Sequence, residues 1–256
     1  MPLERLLITV KTYPTLSRTY GETVCTAGIK SDGSWVRLYP VPFRRLDEPE
    51  QYKKFDWIDC DIYRNVEDRR IESYRLSSPD AITVMGHIGT DHEWMERRKL
   101  ILGKCKVYRQ LGELIDIAKS QMISLAVFKP AQILKFSWEE EEEKQWNEDK
   151  LREMRNRQNQ GDLFEQDSWR QTFKIIPKLP YSFSYKFVDD DGRESEMKIH
   201  DWEIGQLYWN CRKTSQNEGV ALEKVRHKYY EEFIKKDLHF FSEHQSSFTR
   251  WLPIRG

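Results

Sequence analysis

The chain has 256 residues, 42 Lys+Arg against 42 Asp+Glu, 38% hydrophobic residues and 13% aromatic residues. The cancelled charge excludes a strongly basic arm and an acidic tail, and the length allows one large core or two small ones. No apolar run approaches the ~20 residues of a membrane span, and a mean hydropathy of -0.79 is offset by 9 Trp, 12 Tyr and 12 Phe, each of which buries a large area.

Leu6 to Val10 is too short an apolar stretch for a signal peptide and reads as a first buried strand. Strands are expected at Leu6–Lys11, Glu22–Ile29 and Trp35–Tyr39. The Asp32-Gly33 pair gives the turn between the last two, and Pro40 and Pro42 are expected to end the third. Asp56–Tyr63, Arg70–Leu76 and Ala81–His87 are further strand candidates. Short strands separated by Pro and Gly predict a small curled sheet or barrel.

Thr90-Asp91-His92-Glu93 has the capping-box spacing, which predicts a helix to about Leu102. Tyr108, Leu111, Leu114, Ile115 and Ala118 recur at helical spacing. Ile123–Phe128 and Ala131–Trp138 read as strands. Glu139–Glu143, continued by residues 144–158, reads as a solvated charged helix, and Asn156–Ser168 as a polar loop. Phe173–Ile176, Tyr181–Asp189 and Glu196–His200 read as strands. Helices follow from Asp201 and from about Asn217 to Lys235, then strands at Leu238–Phe241 and Phe248–Ile254. The fold class is therefore α+β: a small antiparallel β-barrel-like sheet, then a mixed half of helices and strands. The expected organisation is a β-rich region over 1–138, a charged linker or protrusion over 139–168 and a C-terminal region over 169–256 that closes the same domain or forms its own.

Four groups of residues carry possible chemistry. On a strand, Trp35, Arg37 and Tyr39 share one face, and Val36 and Leu38 the other. An aromatic-Arg-aromatic face is how single-stranded nucleic acid is held, with bases stacked on rings and a guanidinium on phosphate. Arg44, Arg45, Lys53, Lys54, Arg69 and Arg70 lie nearby in sequence as phosphate contacts. The alternative is that Trp35 and Tyr39 are core residues. Second, Asp189 with Glu196-Met197-Lys198 has the outline of a nuclease hairpin, two carboxylates for Mg²⁺ and a Lys beside the attacking water. The same E-x-K triplet recurs at Glu142/Lys144 and Glu148/Lys150, so a polar hairpin tip explains it equally.

Third, His87 and His92, and His239 and His244, are spaced by five, which is not the one-turn pairing of helical metal sites; Asp201 after His200 reads as an N-cap. Fourth, Cys25 alternates into a predicted strand and reads as a buried thiol. Cys25, Cys60, Cys105 and Cys211 form no C-x-x-C pair, which speaks against a zinc site and a disulfide framework and for a reduced, cytoplasmic setting. No phosphate-loop or dinucleotide fingerprint occurs.

The combination of a small barrel, aromatic faces and short helices is similar in architecture to RNA-binding barrels of the PUA and ASCH type. The ASCH signature G-x-K-x-x-E-x-R is not found in this chain. The resemblance implies nucleic acid, RNA or DNA or a flipped base, held on a barrel face. The expected function is nucleic-acid binding without a cofactor. A protein-interaction subunit, or a Mg²⁺-dependent nuclease at Asp189, Glu196 and Lys198, stands as the alternative.

Overall fold

The computed structural model describes residues 3–17, 20–46, 50–78, 81–121, 123–159, 175–245 and 248–254. Strand β1 (Glu4–Lys11) is followed by β2 (Thr15–Ser17), β3 (Gly21–Ile29) and β4 (Trp35–Val41). These segments are rich in the Val, Ile and Thr that suit a pleated, half-buried surface. The β3–β4 turn is the Asp-Gly turn read from the sequence. Asp32 Oδ1 accepts the Ser34 N–H at 2.9 Å, and Gly33 takes φ +88°, a region open to glycine. β4 continues past Pro40 to Val41, because the ladder is irregular between Val24 and Thr26 and asks no donor of the proline there.

The next strands are β5 (Asp56–Cys60), β6 (Ile62–Arg64), β7 (Ser73–Leu76) and β8 (Ile82–His87). The sheet order is β6-β7-β4-β3-β1-β5-β8, with β2 beside β3. The single strand expected over Asp56–Tyr63 is thus two. Only Asp61 separates β5, which pairs with β1 and β8, from β6 at the far edge. One residue can make that step only if the sheet curls, and it does, into a half-barrel.

The second half contributes α1 (Asp91–Leu102), β9 (Val107–Tyr108), α2 (Leu111–Gln121), β10 (Leu125–Phe128), β11 (Gln132–Glu140), α3 (Glu148–Asn159), β12 (Tyr181–Val188) and β13 (Glu194–Ile199). It ends with α4 (Trp202–Thr214), α5 (Glu218–Arg226) with a π-helical continuation over His227–Glu232, β14 (His239–Gln245) and β15 (Phe248–Ile254). The second sheet runs β11-β12-β13-β15-β14-β10-β9.

Several local expectations are corrected. Thr90 makes no side-chain cap to α1. Tyr108 lies in β9 rather than α2, paired in parallel with Phe128. The Glu run is not helical: Glu139 and Glu140 belong to β11, opposite Ser182 and Tyr181, and α3 begins only at Glu148. Strand pairing overrides helix propensity there, because β12 offers a complete ladder. Of the loop expected over 156–168, residues 156–159 are helical and the remainder lies outside the described residues. Phe173 and Lys174 of the expected strand also lie outside them, and Ile175 and Ile176 are in no strand. Asp201 is the N-cap of α4, its carboxylate accepting from the Glu203 N–H at 3.0 Å.

Three apolar clusters fill the fold, and one of them joins the two sheets. Leu6, Ile8, Val36, Leu38 and Ile58 form one core of the first sheet, on the face away from the second sheet. Phe128, Phe187 and Phe240 face helices α4 and α5 through Ile204, Tyr208 and Val225. Between the sheets, Leu7, Ala27 and Ile29 of the first pack on Leu125, Val127 and Phe241 of the second. Strand alternation makes this possible: Phe240 points one way and Phe241 the other. Phe241 is 2% exposed and meets Trp35 edge-to-face at 5.8 Å. Phe241→Ala is expected to lower unfolding free energy by about 3–5 kcal/mol. Denaturant unfolding followed by Trp fluorescence and by circular dichroism tests this, with the two signals moving together because the layer is shared.

Candidate nucleic-acid interface

The face predicted from Trp35, Arg37 and Tyr39 exists as a strand face, but only its far end is open. Trp35 packs into the layer between the sheets. Arg37 is 4% exposed. Its Nη2 lies 3.0 Å from Glu243 of β14, its Nη1 3.4 Å from Asp68, and its Nε donates to Cys25 Sγ at 3.1 Å. Arg70 joins this cluster, 2.7 Å from Asp68 and 3.5 Å from Glu243. Burial alone raises the Asp68 pKa, but hydrogen bonds from Arg70 and Ser73 overcome it and hold the carboxyl well below the usual range. Burial pushes the Cys25 thiol up to about 11, with the Arg37 charge opposing, so it stays protonated near neutrality.

The other basic residues are scattered. Arg44 is bound by both oxygens of Glu22, at 2.9 and 2.8 Å, and Glu22 also accepts the Ile176 N–H. Lys54 is 2.7 Å from Asp201 and 3.0 Å from Glu203, so it joins the halves and does not face solvent. Burial opposes its charge, yet these two acids outweigh that and raise its pKa. Lys53 and Arg69 are exposed. The backbone of Arg45 closes a short 3-10 turn after β4, and its side chain lies outside the described residues.

The open end of the face gathers residues that the sequence keeps apart. β4 and β7 run parallel with Arg37 opposite Ser73 and Leu38 opposite Tyr74, which brings Arg75 beside Tyr39. β6 pairs antiparallel with β7, Tyr63 opposite Arg75. Tyr39, Arg75 and Tyr63 therefore share the face that points away from Leu38. Tyr20, from the turn before β3, lies over it, with its ring centre 6.4 Å from Tyr39 in an edge arrangement. Arg75 Nη2 donates to the Tyr20 hydroxyl at 3.2 Å, its guanidinium lies 5.9 Å from that ring centre, and it also pairs with Glu67. Below Tyr39, the Arg37 guanidinium lies 5.5 Å from its ring. Tyr20 and Tyr63 are 38% and 40% exposed. Of the predicted residues only Tyr39 belongs to this array. Tyr20, Tyr63 and Arg75 were not singled out because cross-strand register, not sequence spacing, joins them.

Asp189, Glu196 and Lys198 do not converge. Asp189 is buried, and its oxygens accept backbone N–H groups of Leu111, Asp191 and Arg193 at 2.9–3.0 Å. It caps α2 and closes the β12–β13 turn. Glu196 stands opposite Lys186 and accepts from Ser137 Oγ at 3.1 Å, and Lys198 is 3.9 Å from Glu141. Among the described residues no His, Cys, Asp or Glu group has the arrangement of a metal site. His87 Nδ1 is 2.6 Å from Asp56 and its Nε2 3.2 Å from Arg97, which can only donate; Nδ1 therefore carries the proton. Burial lowers the His239 pKa.

A second seam between the halves centres on Lys11. Its ammonium lies 3.8 Å from the Phe43 ring centre and 4.6 Å from that of Trp202, and it donates to the Tyr52 carbonyl at 3.2 Å. Burial, aided by neighbouring Lys54, lowers its pKa to about 8.

The family described as "Domain of unknown function (DUF8757)" matches residues 109–250. The chain belongs to that family. A second, "Domain of unknown function (DUF8758)", matches residues 2–103, so this match ends just after α1 and the other begins just after β9. No curated protein matches. A solved structure titled "Structure of murine DNA binding protein bound with ds DNA" aligns with 100% of this chain and 97% of its own, at 10% identity and a TM-score of 0.29. A likeness of that size carries no argument about this member of the DUF8757 family. No helix among its described residues is long and apolar enough to cross a membrane.

The depressed Lys11 pKa has a stability consequence with a definite sign. Between about 8 and the unfolded value of 10.5 the unfolded chain binds the extra proton, so raising pH through this window relieves the folded state. Lys11→Met is expected to be more stable than the parent at pH 7, by about 1–2 kcal/mol after the lost cation-ring attraction is set against burial. The advantage should shrink by pH 10. Urea titrations of both proteins at the two pH values measure it.

Proposed function

We propose that this protein binds single-stranded nucleic acid on the open end of the β4-β7-β6 face. The observation that carries the reading is the array of exposed Tyr20 and Tyr63 around the half-buried Arg75, with Tyr39 at its base. Flat rings offer stacking surface to any base, and stacking requires bases that are not already stacked in a duplex. Arg75 supplies a planar cation among them, and exposed Arg69 lies on the loop that joins β6 and β7. The net charge of zero fits a local patch better than a general attraction for polyanions.

The buried part of the same face has a different task. Trp35, Arg37 and Arg70 fix the second sheet under the first and so hold β4 and β7 in the register that lines up Tyr39 with Arg75. Tyr20→Ala and Tyr63→Ala are each expected to weaken binding of a single-stranded oligonucleotide by about 1–3 kcal/mol, with the melting temperature nearly unchanged because both rings are exposed. Fluorescence anisotropy with labelled DNA and RNA, at two salt concentrations, reads the effect. Binding should weaken with salt. No binding even at ~50 mM salt, or equal binding by the double variant, overturns the proposal.

A further inference from the structure

The Arg75–Glu67 ion pair lies at the edge of the Tyr20–Tyr63 array. Glu67 reaches Arg75 Nη2 from the loop between β6 and β7, and its side chain is 72% exposed. An exposed ion pair of this kind is weak and easily exchanged. The contact is also incomplete. Arg75 Nε, on the same edge of the guanidinium as one terminal nitrogen, is buried and has no hydrogen-bond partner among the described residues. A guanidinium edge binds a carboxylate or phosphate best through two parallel N–H groups, and here only Nη2 meets the carboxylate. The surroundings place the cation: Nη2 also donates to the Tyr20 hydroxyl, and Tyr63 stands opposite Arg75 in the β6–β7 register. The carboxylate is thus exposed, while the cation is anchored to the Tyr20 hydroxyl beside Tyr63.

We infer that Glu67 occupies the place of a ligand phosphate, and that a phosphate group displaces it to bind Arg75 between Tyr20 and Tyr63. The inference deepens the reading above and rests on it for the rest of the ligand: the phosphate would be the one beside a stacked base. The exchange needs no net change of charge at Arg75, because one anion replaces another. Glu67 then acts as a competitor that sets how tightly the subsite holds phosphate.

The test uses the full chain and two probes, inorganic phosphate and a single-stranded oligonucleotide. NMR of the Arg75 side-chain N–H follows phosphate binding, and anisotropy follows the oligonucleotide. Glu67→Gln is expected to tighten phosphate binding about two- to fivefold, the range open to one exposed ion pair. Glu142→Gln makes the same change of net charge on an exposed residue of the other half, and should not tighten it. The gain from Glu67→Gln should vanish in an Arg75→Gln background. An Arg75 signal that ignores phosphate, or a gain equal in all three settings, overturns the subsite. If the Arg75 signal responds as expected but no oligonucleotide binds, the subsite stands and the nucleic-acid reading fails. If the oligonucleotide binds through Tyr20 and Tyr63 but Glu67→Gln changes nothing, the reading stands and the subsite fails.

Discussion

The Arg37 guanidinium sits between two β-sheets with almost no access to water. A cation so placed must be answered by carboxylates, and Glu243 from the second sheet and Asp68 from the β6–β7 loop supply them. Arg70 balances the second acid. This cluster ties β4 to β14 at the edge of the apolar layer built by Leu7, Ile29, Val127 and Phe241. Glu72, on the same loop, accepts from Ser124 N–H and Oγ at the start of β10 and fastens the layer again. A second seam, with Lys54 on Asp201 and Lys11 under Trp202, closes the opposite side. Removing one partner from such a cluster leaves an unpaired buried charge, which costs far more than an exposed pair would.

The division of the β4 face follows from that clamp. Trp35 and Arg37 lie under the second sheet, and Tyr39 emerges beyond it. What a single strand presents as aromatic-Arg-aromatic is in the fold a buried anchor followed by an open platform. The platform is completed by β7 and β6, which add Arg75 and Tyr63 at matching heights, and by Tyr20 from the turn before β3. The zero net charge takes on a local meaning here. Arg44, Lys54 and Arg70 each have carboxylate partners inside the fold, so these three of the predicted phosphate contacts are spent on structure.

Much of the fold was legible in the sequence, because hydrophobic alternation and turn residues act locally. The β3–β4 hairpin with its Asp32-Gly33 turn, the Asp201 N-cap, the β12–β13 hairpin and the final pair of strands were all readable from nearby residues. The Glu139–Glu140 strand was not, since its pairing with Tyr181 and Ser182 lies some forty positions away and overrules what five glutamates prefer alone. Of the site, Tyr39 was readable. Tyr20, Tyr63 and Arg75 were not, because they meet only through sheet register. The charge of Arg37 pointed to solvent, and its burial depends on Glu243, two hundred residues further on. The Asp189 hairpin misled for a related reason: a carboxylate at a strand end serves equally to cap a helix, and α2 lies where Asp189 can do so.

Under the proposed function the open platform, and not the buried anchor, meets nucleic acid. Ultraviolet cross-linking of a single-stranded oligonucleotide to the full chain, followed by peptide mass spectrometry, tests it most directly. Adducts at Tyr20, Tyr39 or Tyr63, with Trp35 untouched, are the predicted result. Adducts at Trp35, or adducts confined to the second sheet and its helices, would contradict it.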